Sequence, residues 1–68
     1  MKISARNVLN GKIVDVVKGV TTAHVRIDVG GTIVTASITN ESVDDLGLVK
    51  GMTASAVIKS SDVMVAID

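Results

Sequence analysis

No cysteine, proline, phenylalanine, tyrosine or tryptophan occurs anywhere in this sequence. Without cysteine there are no disulfides and no thiolate metal sites. A single histidine, His24, cannot build a histidine-rich metal cluster. Without aromatic rings there is no platform on which nucleobases can stack, the usual device of sequence-tolerant single-strand binding. Charge of one sign is also missing: seven Lys plus Arg balance seven Asp plus Glu. That argues against a broad electrostatic footprint for DNA or RNA. No apolar run reaches the roughly 18 residues that read as a membrane-spanning helix. The opening residues, Met1 to Asn7, lack the uninterrupted apolar core of a signal peptide, so a cytoplasmic location is expected.

What remains is a short, β-branched chain. Its 68 residues make one domain, spanning 1–68. Hydrophobic residues supply 47% of it, all of them Val, Ile, Leu, Ala or Met. Such side chains suit strands but fill little volume. A domain this small is marginal alone and needs a staple. With disulfides and metal clusters excluded, oligomerisation is the staple left.

Glycines divide the chain into short runs. Lys12 to Lys18 is largely apolar with imperfect alternation, which suggests apolar contacts on both faces or a bulge. Ala23 to Val29 alternates cleanly, with Ala23, Val25, Ile27 and Val29 against His24, Arg26 and Asp28. Gly30-Gly31 reads as a two-residue hairpin turn, and Thr32 to Thr39 as the third strand. Thr39 to Gly47 changes character: Thr39 or Asn40 can cap a short helix, Glu41, Asp44 and Asp45 suit its dipole, and Gly47 can end it. Val43 and Leu46 would share its inward face. Thr53 to Lys59 and Val63 to Asp68 follow as strands, joined by the polar turn Ser60-Ser61-Asp62. Three strands, a helix and two strands match the plan of an all-β, OB-fold-like, five-stranded Greek-key barrel with one short helix between strands 3 and 4. Lys2 to Asn7 is a candidate edge strand, and an SH3-like barrel is the competing architecture.

Catalysis has little to work with. His24 lies on the polar side of its strand, the solvated side in most sheets, with no nucleophile and acid arranged around it. Gly11-Lys12 lacks the rest of a phosphate-binding loop. One constellation stands out. Ser4 and Arg6 are two apart and face the same way on an extended chain. Lys59, Ser60 and Ser61 cluster after the fourth strand. Thr39 and Ser42 open the helix. All are donors, and together they suit a small dianion that offers only acceptor oxygens. Taken singly, each is equally a cap or turn residue.

The segment Ser4-Ala5-Arg6-Asn7, with Leu9, Gly11 and Ile13-Val14 after it, closely resembles the opening of the molbindin family, small molybdate-binding proteins built from one Mop, or TOBE, domain. The similarity runs on through Lys18-Gly19, Ala23-His24-Val25, Ile38-Thr39, Ser42, Leu46-Gly47-Leu48, Lys50-Gly51 and Ala56-Val57-Ile58-Lys59-Ser60. The resemblance implies a homo-hexamer, a trimer of dimers, with molybdate or tungstate held between subunits and no cofactor. It implies oxyanion contacts from Ser4, Ala5, Arg6, Thr39, Ser42, Lys59 and Ser60, and a second site at the Gly19-Val20-Thr21 turn. Storage and homeostasis of the anion is the expected role. An accessory TOBE-type interaction module and a nucleic-acid-binding OB domain are the alternatives.

Overall fold

A computed structural model describes residues 1–68. The order is β1 (Asn7–Lys18), β2 (Thr22–Asp28), β3 (Ile33–Thr39), α1 (Asn40–Leu46), β4 (Thr53–Ile58) and a 3-10 turn (Ser60–Asp62). The strands form one antiparallel sheet in the order β3-β2-β1-β4. The long β1 serves two partners in succession. Its first half, Asn7 to Lys12, pairs with β4, and its second half, Lys12 to Lys18, pairs with β2.

The imperfect alternation of the first run has the expected cause. The register of β1 against β2 shifts between Ile13 and Asp15, so Val14 is an extra residue. The bulge lets both Ile13 and Val16 meet the apolar face of β2, opposite Ile27 and Val25, although they are an odd number apart. Gly11 is not the boundary its position suggests. It lies inside β1, where an added Cβ would stand 2.3 Å from the Asp28 carbonyl oxygen and 2.9 Å from Ile27 Cγ2. Strand glycines often mark such close backbone approach.

The β2–β3 hairpin closes as expected. Gly30 and Gly31 have φ of 89° and 100°, and the Val29 N–H donates to the Thr32 carbonyl at 2.8 Å. Helix α1 also follows the sequence signals. Thr39 Oγ1 caps it by accepting from the Ser42 N–H at 3.0 Å, and Gly47 ends it in the left-handed region at φ 62°. Val43 is buried as expected, but Leu46 is 63% exposed. The sheet's core is Ile13, Ala23, Val25, Ile27, Val43 and Ala56.

Two expected strands are absent from the sheet. Residues 2–6 pair with nothing, and the N-terminal strand pairing begins at Asn7 as part of β1. Val63 to Asp68 is also outside the sheet, which therefore has four strands and not five. The physical reason is visible on the open side. The edges of β3 and β4 face each other across an apolar cleft of about 790 Å³, lined by Val34, Ile38, Leu46, Leu48, Ala56 and Ile58 among others. Leu46 is exposed because it lies along this unfilled cleft. Only six of 68 residues are buried, so the single chain leaves its core open.

Candidate functional site

The donor residues fall into two groups, one at each end of β1. At the first end, β1 and β4 form an antiparallel ladder that closes with Asn7 opposite Ile58. The Asn7 Nδ2 donates to the Ile58 carbonyl at 3.1 Å and fastens this last rung. Arg6 immediately precedes this rung on one strand and Lys59 immediately follows it on the other. Arg6, Lys59, Ser4 and Ser60 are all exposed, while Ala5 is half-buried. The chain's two ion pairs are Lys18–Asp44 and Arg26–Asp15, so neither Arg6 nor Lys59 has a carboxylate partner. None of Ser4, Arg6, Lys59 and Ser60 makes a side-chain hydrogen bond within the chain. Two like charges held beside one another without a counter-ion repel, and an anion between them relieves that repulsion.

The opposite end carries Thr39, Ser42, Gly19, Val20 and Thr21. Thr22 pairs with Thr39, and Lys18 with Ala23, so the helix start sits level with the 19–21 turn. Thr39 Oγ1 lies 2.8 Å from Ser42 Oγ while accepting from the Ser42 N–H. One hydroxyl must donate to the other, so only one hydroxyl proton of this pair stays free for a ligand. The 19–21 turn is fastened to α1. The Asn40 N–H donates to the Thr21 carbonyl at 2.9 Å, and Asn40 Nδ2 donates to the Gly19 and Val20 carbonyls at 2.9 and 3.3 Å. The Lys18–Asp44 ion pair adds a tie between β1 and α1.

A single chain therefore places Ser4, Ala5 and Arg6 just before β1 and Lys59 and Ser60 just after β4, at the end where those two strands pair, and separately Thr39 and Ser42 with Gly19, Val20 and Thr21. It does not bring the two groups to each other, because the length of β1 separates them. Sequence reasoning missed two residues. Asn7 was legible only as part of a motif, and its rung-closing role needs the β1–β4 register. Asn40 read as an alternative cap, and its real position, one residue inside the helix, lets its amide reach back to the turn. His24 is exposed on the outward side of β2 beside Ser37 and Val17, as expected for a solvated strand residue. No group of His, Asp and Glu side chains is arranged to hold a metal cation. A shallower polar hollow of about 400 Å³ lies by Asn10, Lys12, Asp28 and Thr53, and none of the expected donors lines it.

Comparison with known proteins places this geometry among relatives. The TOBE domain family model matches residues 3–65. The chain is 52% identical over 66 residues to molybdenum-pterin-binding protein 3 of Clostridium pasteurianum, covering 96% of this chain and 97% of the relative. Its fold superposes with a TM-score of 0.94 on a molybdate-binding protein from Sporomusa ovata, 40% identical, covering 98% of this chain and all of the other. It superposes with a TM-score of 0.90 on the cytoplasmic molybdate-binding protein ModG, with molybdate bound, at 43% identity. That match covers 94% of this chain and 46% of ModG.

Proposed function

The chain belongs to the TOBE-domain family, and from that membership we propose that it binds molybdate or tungstate as small oxyanions at contacts between subunits, for storage and homeostasis. It is a binding protein and not an enzyme on this reading, with residues 1–68 as one TOBE-type domain. The observation that carries the proposal is the pair of cations without carboxylate partners, Arg6 and Lys59, that directly flank the last β1–β4 rung, Asn7–Ile58, with Ser4 and Ser60 close by in the chain. A partly desolvated dianion must exchange its hydration for fixed donors, since an uncompensated buried charge is very costly. Charge-assisted hydrogen bonds from a guanidinium and an ammonium are roughly twice as strong as neutral ones. Hydroxyls and backbone N–H groups complete the shell. A hexamer built as a trimer of dimers would bring the Thr39–Ser42 group of one subunit to the Arg6–Lys59 group of another.

Self-association has its own support. The segment 63–68 leaves the sheet with Met64, Val65 and Ile67 each at least 90% exposed. Its alternation is that of a strand, and the cleft between β3 and β4 lacks one. Capture of this segment by a second subunit would pair the free strand edges and bury apolar side chains at roughly 25 cal/mol per Å². The aspartate pair Val65→Asp and Ile67→Asp should therefore shift the protein to monomer in light scattering. A full-size assembly in that variant would remove the segment from the interface.

The names of the relatives divide the ligand between a molybdenum pterin and bare molybdate. A pterin is a flat ring system, and this chain has no aromatic side chain to stack on it. The donor set is suited to an oxyanion alone. The lack of aromatics and of net positive charge also speaks against nucleic acid as a partner. No helix is long and apolar enough to cross a membrane, and ModG is described as cytoplasmic, which supports the same location for this chain. The match to less than half of ModG favours one further reading, a module working as part of a larger assembly. Titration calorimetry with molybdate, tungstate, sulfate and phosphate tests the proposal. Saturable binding of the two larger anions in preference to sulfate and phosphate is expected; no heat with any of the four would end it.

A further inference from the structure

Arg6 and Lys59 have no carboxylate partner in the chain, so something other than an ion pair must decide where they stand. Both lie just outside the sheet. Residues 2–6 pair with nothing, and β4 ends at Ile58. A sheet frays first where its strands end, and two cations flanking the same rung repel. Asn7 opposes that opening. It follows Arg6 directly, and its Nδ2 donates across the last rung to the Ile58 carbonyl at 3.1 Å. Only the amide nitrogen can donate to a carbonyl, so the orientation of this amide is fixed. The other side-chain tie between β1 and β4, from Ser55 Oγ to Asn10 Oδ1 at 2.8 Å, lies further in and leaves the end unsupported.

The Ile58 carbonyl belongs to the peptide that begins Lys59. A peptide is planar, so holding its oxygen also sets the direction of the Lys59 N–H, which bonds no backbone carbonyl. The peptide on the far side of Lys59 is held as well, because its carbonyl accepts from the Asp62 N–H at 2.9 Å in the 3-10 turn. Lys59 is thus fixed in the extended region, at φ −64° and ψ 143°, with both flanking peptides bonded and its ammonium unpaired. The 3-10 turn ties the second peptide only to its own residues. Asn7 is the side chain that ties the first to the strand following Arg6.

We infer that Asn7 is a positioning residue for the oxyanion site: its amide sets the spacing of Arg6 and Lys59, and through that spacing the preference for a larger anion over a smaller one. The inference rests on the reading that these two cations bind the anion. Molybdate and sulfate share charge and tetrahedral shape and differ in size. Donors free to move close on either ion, whereas donors held in place favour the ion that fits them. Specificity is a ratio of affinities, so the residue that fixes the spacing governs the ratio.

The experiment titrates the full-length protein with molybdate by calorimetry and reads sulfate as a competitor. Asn7→Leu keeps the size of the side chain and removes the donor. It should weaken molybdate about fivefold, the effect of one hydrogen bond, and leave sulfate within about twofold, the scatter of uncoupled changes. The preference for molybdate should narrow accordingly. Asn7→Gln keeps the donor on a longer arm that cannot hold the same spacing, so its preference should fall between the two. In Lys59→Ala protein, Asn7→Leu should cause no further loss, because the amide acts through Lys59. Equal losses for both anions, or the same loss with and without Lys59, would make Asn7 a purely structural residue and overturn the inference. If Asn7→Leu fails to fold, Asn7→Gln decides, and a preference equal to that of the unmodified chain overturns it. Arg6→Ala tests the underlying reading separately. If that variant binds molybdate normally, the cations are not the site and the inference falls with that reading. If it weakens binding while Asn7→Leu changes nothing, the inference alone falls.

Discussion

The two ends of β1 solve the problem of presenting donors in opposite ways. At the Thr39 end the chain organises itself: a capping hydroxyl, the Asn40 side-chain amide on two carbonyls and its backbone N–H on a third, and an ion pair tie the turn, the helix and β1 together. At the Arg6 end one side-chain hydrogen bond, from Asn7 to Ile58, fastens the frame, and the two cations proposed to bind the anion have no partner in the chain. The first end is stable and weakly attractive. The second is strongly attractive and incomplete. A site built from one of each, supplied by different subunits, needs neither end to be both rigid and charged.

The largest effect should come from the point where the two ends are joined. Gly11 sits in β1 just before the strand passes from β4 to β2. A methyl group there meets a backbone oxygen at 2.3 Å, which no side-chain rotation relieves. Gly11→Ala should cost about 3 kcal/mol of stability, the upper range for overpacking, measured by urea unfolding of the assembly at fixed concentration. It should weaken both ends together. A variant of normal stability would show that the β1–β2 backbone can separate there.

Arg6→Ala is next, and it should separate the ends. Loss of a charge-assisted contact is worth about 2 kcal/mol, or roughly 30-fold in affinity. Molybdate calorimetry should show this loss with the melting temperature nearly unchanged, because Arg6 is exposed and bonded to nothing in the chain. Equal affinity would remove Arg6 from the site. Thr39→Ala should do the reverse. Removing an N-cap hydroxyl typically costs about 1 kcal/mol of stability, so thermal melting should fall, with a smaller loss of anion affinity because the Thr39–Ser42 pair offers only one free hydroxyl proton. If affinity falls more than stability, the helix start contributes more donors than the cap geometry allows.

The contrast also explains what could be read from the sequence. Helix α1 was legible because its signals are local: Thr39, one of the two cap candidates, caps it and Gly47 stops it, while the inward placement of Leu46 did not hold. The bulge at Val14 was legible as broken alternation. Gly11 misled because a glycine that allows close approach of two strands resembles one that marks a turn. The missing fifth strand has a different cause. Val63 to Asp68 has a strand's alternation, but alternation records which side chains want burial and not which chain will bury them. The same holds for the site. Arg6 and Lys59 come to the same end of the sheet only through the β1–β4 register, and Asn40 is informative only once the turn it bonds is seen.

The smallest effect should come from the Lys18–Asp44 pair, and its smallness sharpens the comparison. The two side chains are 45% and 65% exposed, so solvent screens most of their attraction. Asp44→Ala should change stability by about 0.5 kcal/mol or less, below what capping and the Asn40 amide contribute. Its effect on anions should be opposite in sign to that of Arg6→Ala. Freeing the Lys18 ammonium adds an unmatched cation at the Thr39 end, so molybdate binding should tighten by about twofold or less and become more sensitive to salt, since exposed charges attract over a Debye length of roughly 8–10 Å. Calorimetry at two ionic strengths reads both changes. Molybdate binding that loosens in Asp44→Ala would mean that the ion pair holds this end in shape, and that the self-organised end depends on charge as much as on its hydrogen bonds.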